Sequence, residues 1–280
     1  MSTREIDPAT LVAAPLGHAT SYPDTYDARL LFPVARQNAR SALGIGETLP
    51  FTGVDTWTAY ELTWLDPKGR PRVAVATLAF PASSPAIIES KSMKLYLGSF
   101  AQTRFRSASD VRTVIARDLS RASEAPATVE LAGPEAFGGM RLAPLGGESL
   151  DELGVENPAY DVDASCLRVD DAIVEETLVS DLFRSVCPVT GQPDIASLQI
   201  RYHGLRVDHA GLLRYLVSYR CHPGFHEHCV ERIFMDLHTR CRPEALTVYA
   251  RFMRRGGIDI NPFRTNAGID RPQNVRTERQ

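Results

Sequence analysis

Trp57-Thr-Ala-Tyr-Glu-Leu-Thr-Trp64 and Arg72-Val-Ala-Val-Ala-Thr-Leu-Ala-Phe80 are two runs dense in β-branched and aromatic residues, separated by Asp66-Pro-Lys-Gly69. Side chains of this kind favour the extended backbone, and an Asp-Pro opening with a closing Gly supplies turn chemistry, so the pair reads as a β-hairpin. Upstream, Asp27 to Leu43 carries an apolar stripe (Leu30, Leu31, Val34, Ala35) interrupted by Pro33, which predicts a loop and a short helix as readily as one long helix.

The second half repeats the theme. Ile195 to Tyr202 and Leu212 to Tyr219 read as strands joined through His203 to Gly211. In Cys229 to His238, the residues Val230, Ile233, Phe234 and Leu237 fall at helical spacing, and Ala245 to Phe252 follows as a strand. Each half then shows a strand pair, a Pro-x-x-x-Glu string (Pro85 to Glu89; Pro223 to Glu227), a helix carrying Asp-Leu (Asp118-Leu119; Asp236-Leu237), and a Pro before a last strand (Pro126 before Thr128 to Leu131; Pro243 before Leu246 to Phe252). This order reads as a duplicated strand-strand-helix-strand unit, with Ser90 to Phe100 as an insertion in the first copy. The Gly-, Pro- and acid-rich stretch Gly133 to Asp163 reads as a surface linker, and the polar residues after Asn266 as a frayed end.

The chain has 280 residues, 44% hydrophobic and 23% charged, with a formal net charge of -3, so no basic excess points to nucleic acid and a small-molecule partner is the better expectation. Met1-Ser-Thr-Arg-Glu-Ile-Asp7 lacks the apolar core of a signal peptide, and no later run is apolar enough to span a bilayer. Five cysteines (166, 187, 221, 229, 241) with no Cys-x-x-Cys pair read as free thiols in a reducing cytoplasm.

Several residues could carry chemistry. Cys187 lies in Ser185-Val-Cys-Pro-Val-Thr-Gly-Gln-Pro-Asp194, a rigid turn-rich loop; an inert buried cysteine usually sits on an apolar face instead. Asp194 could fold back toward the thiol, or simply shape the turn. In His222-Pro-Gly-Phe-His-Glu-His228, either His226 and His228 with Cys221 or Cys229 bind zinc, or Glu227 anchors a purine-like edge through paired hydrogen bonds. Zinc lacks its usual ligand spacing here, and histidines at a helix start are often only solvated. Ser90-Lys-Ser-Met-Lys94 and Arg254-Arg-Gly-Gly-Ile-Asp-Ile-Asn-Pro262 offer cations, hydroxyls and glycines suited to phosphate or ribose. No G-x-G-x-x-G or Walker string is present.

Taken together, Leu31-Phe-Pro33, Ile88-Glu-Ser-Lys-Ser-Met-Lys-Leu-Tyr-Leu-Gly-Ser-Phe-Ala-Gln-Thr-Arg104, Cys187 to Asp194, Phe225-His-Glu227 and Arg255 to Pro262 resemble the NADPH-dependent 7-cyano-7-deazaguanine reductases in their long two-module form. The resemblance implies an α+β fold of tandem tunnelling-fold modules, antiparallel sheets with helices packed on one face, divided as 1–150 and 151–280, with the active site where modules meet. It implies Cys187 as the nucleophile that forms a thioimide with the nitrile and Asp194 as proton donor. Ile88, Glu89, Ser90, His226 and Glu227 are implied as substrate contacts, and Ser90, Lys91, Arg255 and Gly256 as cofactor contacts. Two NADPH per turnover, no metal or flavin, a deazapurine substrate, a place in queuosine biosynthesis (a tRNA modification pathway) without direct nucleic-acid binding, a homodimer and a cytoplasmic location follow in the same way. A zinc-dependent enzyme of the same fold and a non-catalytic purine-binding module are the competing expectations.

Overall fold

The computed structural model describes residues 22–156, 159–269 and 271–280. The N-terminal stretch read for a leader lies outside them, as do two residues of the linker and Asp270. In chain order the elements are β1 (Pro33–Ala35), α1 (Gln37–Ala42), β2 (Thr52–Leu65), β3 (Pro71–Pro81), β4 (Ala86–Ile88), α2 (Ser90–Gly98), α3 (Ala108–Ser123), β5 (Thr128–Ala132), α4 (Pro134–Phe137), β6 (Glu148–Ser149), β7 (Val169–Val186), β8 (Pro193–Val207), α5 (His209–Ser218), α6 (His226–Arg240), β9 (Ala245–Phe252) and β10 (Ile258–Thr265). They form two compact units. Of the described residues, one comprises those in 22–38, 55–141 and 254–260, and the other those in 39–54, 142–253 and 261–280.

In the first unit the strands run β5-β3-β2, with the opening residues of β10 beside β2. The hairpin read from Trp57 to Phe80 is present, and its turn is closed by Asp66 N to Arg70 O and Gly69 N to Asp66 O, both 2.9 Å. One face of this sheet is apolar: Trp57, Trp64, Leu78 and Phe80 pack with Met93, Tyr96 and Phe100 of and just after α2, and with Val111, Ile115 and Leu119 of α3. The i, i+4, i+8 spacing of that last trio explains why α3 lies flat on the sheet. Ser107 caps the helix by accepting from Asp110 N at 3.1 Å.

In the second unit the order is β9-β8-β7-β6, and the later residues of β10 pair antiparallel with β9. Strands β7 and β8 form a long antiparallel hairpin. The segment Leu212 to Tyr219, read above as a strand, is instead mostly helix α5. Its buried side chains Leu212, Leu213, Tyr215, Leu216 and Tyr219 follow a 3.6-residue period, and Asp208 caps it by accepting from Ala210 N at 3.2 Å. A short apolar run does not separate the two periods by itself. The hairpin partner of β8 is β7, a strand absent from the sequence reading.

The duplication is therefore strand-strand-helix-helix-strand in both units, and Ser90 to Phe100 is no insertion. Helix α2 corresponds to α5: Tyr96 donates to Asp118 of α3 at 2.9 Å, as Tyr215 does to Asp236 of α6 at 2.6 Å. Ser99 and Ser218 each donate to the carbonyl three residues back, Tyr96 O and Tyr215 O, at 2.6 Å. The two Pro-x-x-x-Glu strings consequently precede different helices, the first helix of one copy and the second of the other.

The end of the chain is docked rather than frayed. The Gln280 side-chain carbonyl accepts from Arg251 Nε at 2.8 Å, and its amide donates to Phe252 O and Asn261 Oδ1, each at 2.8 Å. A polar composition predicts exposure only when no buried polar strand face is available to meet it.

Candidate active site

The long hairpin of the second unit ends at Cys187. Its N–H donates to Gln192 O (2.8 Å) and its carbonyl accepts from Gly191 N (3.0 Å), so pairing runs one residue beyond Val186 before the chain turns. Gly191 sits at φ 68°, a conformation that favours glycine. Ser185 stands directly across the ladder from Asp194. Because alternate residues of a strand share a face, Ser185, Cys187 and Asp194 project to the same side. All three are buried.

A second segment braces this hairpin end. Val186 N donates to His222 O (2.9 Å) and Gly224 N to Val186 O (3.1 Å), which carries the start of α6 to the site. His226 Nε2 then lies 3.4 Å from Asp194 Oδ1, and its ring meets Phe252 edge-on at 4.2 Å. Glu227, in the first turn of α6, is buried. The helix has Phe225 at its N-cap and no side-chain cap, so the Glu227 carboxylate supplies the negative charge that its N-terminal dipole favours. His226 and His228 are two positions apart on this helix and face different directions. Among the described residues, no group of three or more His, Cys, Asp or Glu side chains is placed to hold a metal ion. All five cysteines are free thiols; burial pushes Cys241 up to about 11.

In the first unit, Ile88 ends β4 opposite Pro33, and Glu89 follows as the N-cap of α2. The Glu89 carboxylate accepts from Lys91 N at 2.7 Å and Ser92 N at 2.8 Å, and the residue is fully buried. Two such bonds fix its orientation. Ser90 opens the helix. Lys91 and Lys94 line a cavity of about 370 Å³ with Glu61, Tyr22, Gly256 and Gly257. The turn from Arg255 to Ile258 is closed by Arg255 N to Ile258 O at 2.9 Å, with Gly256 and Gly257 at φ 57° and 74°, the signature of a tight two-residue hairpin turn. A Cβ on Gly256 would fall 3.1 Å from Lys94 Cε, and one on Gly257 2.4 Å from the Glu61 carboxyl carbon, so neither position has room for a side chain. The Arg254 guanidinium stacks 4.6 Å above the Tyr60 ring.

A family model described as nitrile reductase, 7-cyano-7-deazaguanine-reductase N-term, matches residues 22–131, and one described as QueF-like protein matches residues 193–270. The NADPH-dependent 7-cyano-7-deazaguanine reductase of Paraburkholderia phytofirmans is 56% identical over 95% of this chain and 98% of its own. Its counterpart in Burkholderia vietnamiensis is 57% identical over the same shares. The chain belongs to the 7-cyano-7-deazaguanine reductase family. Among solved structures, the apo form of the archaeosine synthase QueF-Like overlays 36% of this chain and 99% of that one, with a TM-score of 0.31 and 16% identity.

The residues that the reductase family implies fall into two sets. Cys187, Asp194, His226 and Glu227 gather at one hairpin end and one helix start of the second unit. Ile88, Glu89 and Ser90 share the β4–α2 junction of the first unit, where Lys91 and Gly256 line the same cavity and Arg255 opens the turn beside it. The reading by motif assigned nothing to Phe252, which packs on His226, or to Ser185, which faces Asp194. Phe252 gave no local signal, since an aromatic residue in a strand is ordinary core; Ser185 lay within a quoted string but without its cross-strand partner in view.

Proposed function

We propose that this chain reduces the nitrile of 7-cyano-7-deazaguanine to the primary amine of 7-aminomethyl-7-deazaguanine. NADPH supplies the hydrides, two per nitrile, and two protons complete the amine. Cys187 adds through its thiolate to the nitrile carbon, and Asp194 gives a proton to the nitrogen as charge builds there, leaving a thioimide. A nitrile accepts hydride poorly, and the protonated thioimide is a far better electrophile. The thiolate leaves again before the amine is complete. His226, hydrogen-bonded or charge-paired to Asp194, keeps that carboxyl oriented. Glu227 and Glu89 accept N–H bonds from the deazapurine edge, with Ile88 and Ser90 beside them. Ser90, Lys91, Arg255 and Gly256 meet the cofactor, the cations opposite phosphate and the glycine allowing close approach.

The observation that supports this reading best is the burial of Cys187 and Asp194 on one side of one hairpin, with His226 3.4 Å from the carboxylate. The division into modules 1–150 and 151–280, a homodimer, and a cytoplasmic setting complete the proposal. No described helix is long and apolar enough to cross a membrane. Following cofactor absorbance in a mixture of protein, nitrile and NADPH tests it. Two NADPH consumed per nitrile is expected, with NADH markedly slower; a stoichiometry of one, or equal rates with both cofactors, counts against the assignment.

A further inference from the structure

The Ser185 hydroxyl has no role in the chemistry above, and its surroundings are unusual. Ser185 is 1% exposed, and its Oγ has no hydrogen-bond partner among the described residues. A buried hydroxyl without a partner lowers stability, and a sheet position offers many apolar residues that would avoid this.

The duplicated unit shows what the position holds when no chemistry is asked of it. The strings Trp64-Leu-Asp-Pro-Lys-Gly-Arg-Pro-Arg72 and Ser185-Val-Cys-Pro-Val-Thr-Gly-Gln-Pro-Asp194 close their turns with corresponding pairs of backbone bonds, the second turn being one residue longer. Leu65 N donates to Thr103 O at 3.0 Å, as Val186 N does to His222 O at 2.9 Å. Ser185 therefore occupies the place of Trp64, which fills the core of the first unit. A space-filling indole in one copy is a small buried hydroxyl in the other, directly across from Asp194 and two residues before Cys187.

We propose that Ser185 is a positioning residue for proton transfer. With the nitrile bound to Cys187, the Ser185 hydroxyl donates to one oxygen of the Asp194 carboxyl while the other oxygen passes its proton to the substrate nitrogen. Ser185 itself gains and loses nothing; it turns the acid toward the nitrogen and supports the carboxylate left behind. Cross-strand neighbours have Cβ atoms about 4.5–5.5 Å apart, within reach of such a bond after a rotamer change. The proposal rests on the reductase reading above.

The test is Ser185→Ala in the full chain, with three measurements. Turnover should fall roughly 10- to 100-fold, as for a misplaced catalytic group, with KM nearly unchanged. Substrate without NADPH should still add one substrate mass at Cys187. The thermal midpoint should hold or rise, because an unpaired buried hydroxyl has been removed. Unchanged turnover overturns the proposal, and so does a rise in KM alone, which marks a binding contact. A lowered thermal midpoint accompanying the loss of turnover also overturns it, since it marks a structural bond. If the wild-type chain itself forms no adduct and consumes no NADPH, the reductase reading fails instead.

Discussion

In the β2–β3 hairpin the residue that opens the turn is Asp66; in the β7–β8 hairpin it is Cys187. Both turns are closed by corresponding backbone bonds and both are braced by the segment that follows the first helix. Asp66 spends its carboxylate on its own loop, accepting from Lys68 N at 2.9 Å and Arg70 N at 3.0 Å, and pairs with Arg72 at 3.3 Å. Those bonds hold the Asp66 carboxyl below the usual carboxylate range, the Arg70 backbone contribution first. The corresponding residues of the second hairpin are Cys187 and Asp194. In the first pair the long Arg72 side chain reaches Asp66 across the turn; the second pair puts a thiol and a carboxyl at the same two positions. Trp64, Asp66 and Arg72 make a self-satisfied structural corner, whereas Ser185, Cys187 and Asp194 place three polar groups on the same side of a buried one. The frame holds a structural corner in one copy and the proposed catalytic groups in the other, and three side chains on one face account for the difference.

The sharpest break in the comparison is at the turn-opening residue. Cys187→Ala should abolish turnover and the substrate-only mass adduct, since it leaves that corner without a thiolate to add to the nitrile. Asp66→Ala should leave turnover intact and lower the denaturation midpoint slightly through lost turn hydrogen bonds, read by denaturant titration. Loss of turnover in the Asp66 variant, or normal turnover without Cys187, would show that the two corners are not divided in this way.

The next position contrasts Asp194 with Arg72. Asp194→Asn keeps the shape of the site but not the proton, so turnover should fall by roughly two to four decades while substrate still binds, measured by titration in the absence of NADPH. Arg72→Gln removes a half-exposed ion-pair partner and should change stability by less than about 0.5 kcal/mol. An Asn variant that turns over at wild-type rates would remove Asp194 from the mechanism.

The helix pairs, where the copies agree, should affect stability and leave the chemistry alone. Asp118 accepts from the hydroxyls of both Tyr26 and Tyr96, and Asp236 accepts from Tyr215. Asp118→Ala and Asp236→Ala should each destabilise by roughly 2–3 kcal/mol, the loss of hydrogen bonds to a charged acceptor. Burial, then the Asp118 hydrogen bond, pushes Tyr26 up to about 12, and burial likewise raises Tyr96 and Tyr215. A folded value above the unfolded one near 10 means that this stabilisation is complete below about pH 10 and is lost as pH climbs toward 12. The thermal midpoint should therefore decline above pH 10, less steeply in Asp118→Ala. A flat midpoint through pH 11 would refute the assignment.

Local composition settled the first hairpin, the helix of Cys229 to His238 and the strand of Ala245 to Phe252, because periodicity and turn residues act over a few positions. Long ordered strings settled the family and pointed to the candidate residues. Local signals failed at Leu212 to Tyr219, whose apolar run suits either period, and at Ser90 to Phe100, whose kinship with α5 lies in Tyr-to-Asp bonds between helices. They failed again at the polar chain end, where Gln280 has partners only once β9 and β10 are folded. Tertiary structure alone decided that Ser185 faces Asp194, that His226 comes within 3.4 Å of the same carboxylate, and that Lys94 crowds Gly256. The first depends on the register of one hairpin and the other two on packing between residues distant in sequence, and residue types along a segment fix neither register nor packing.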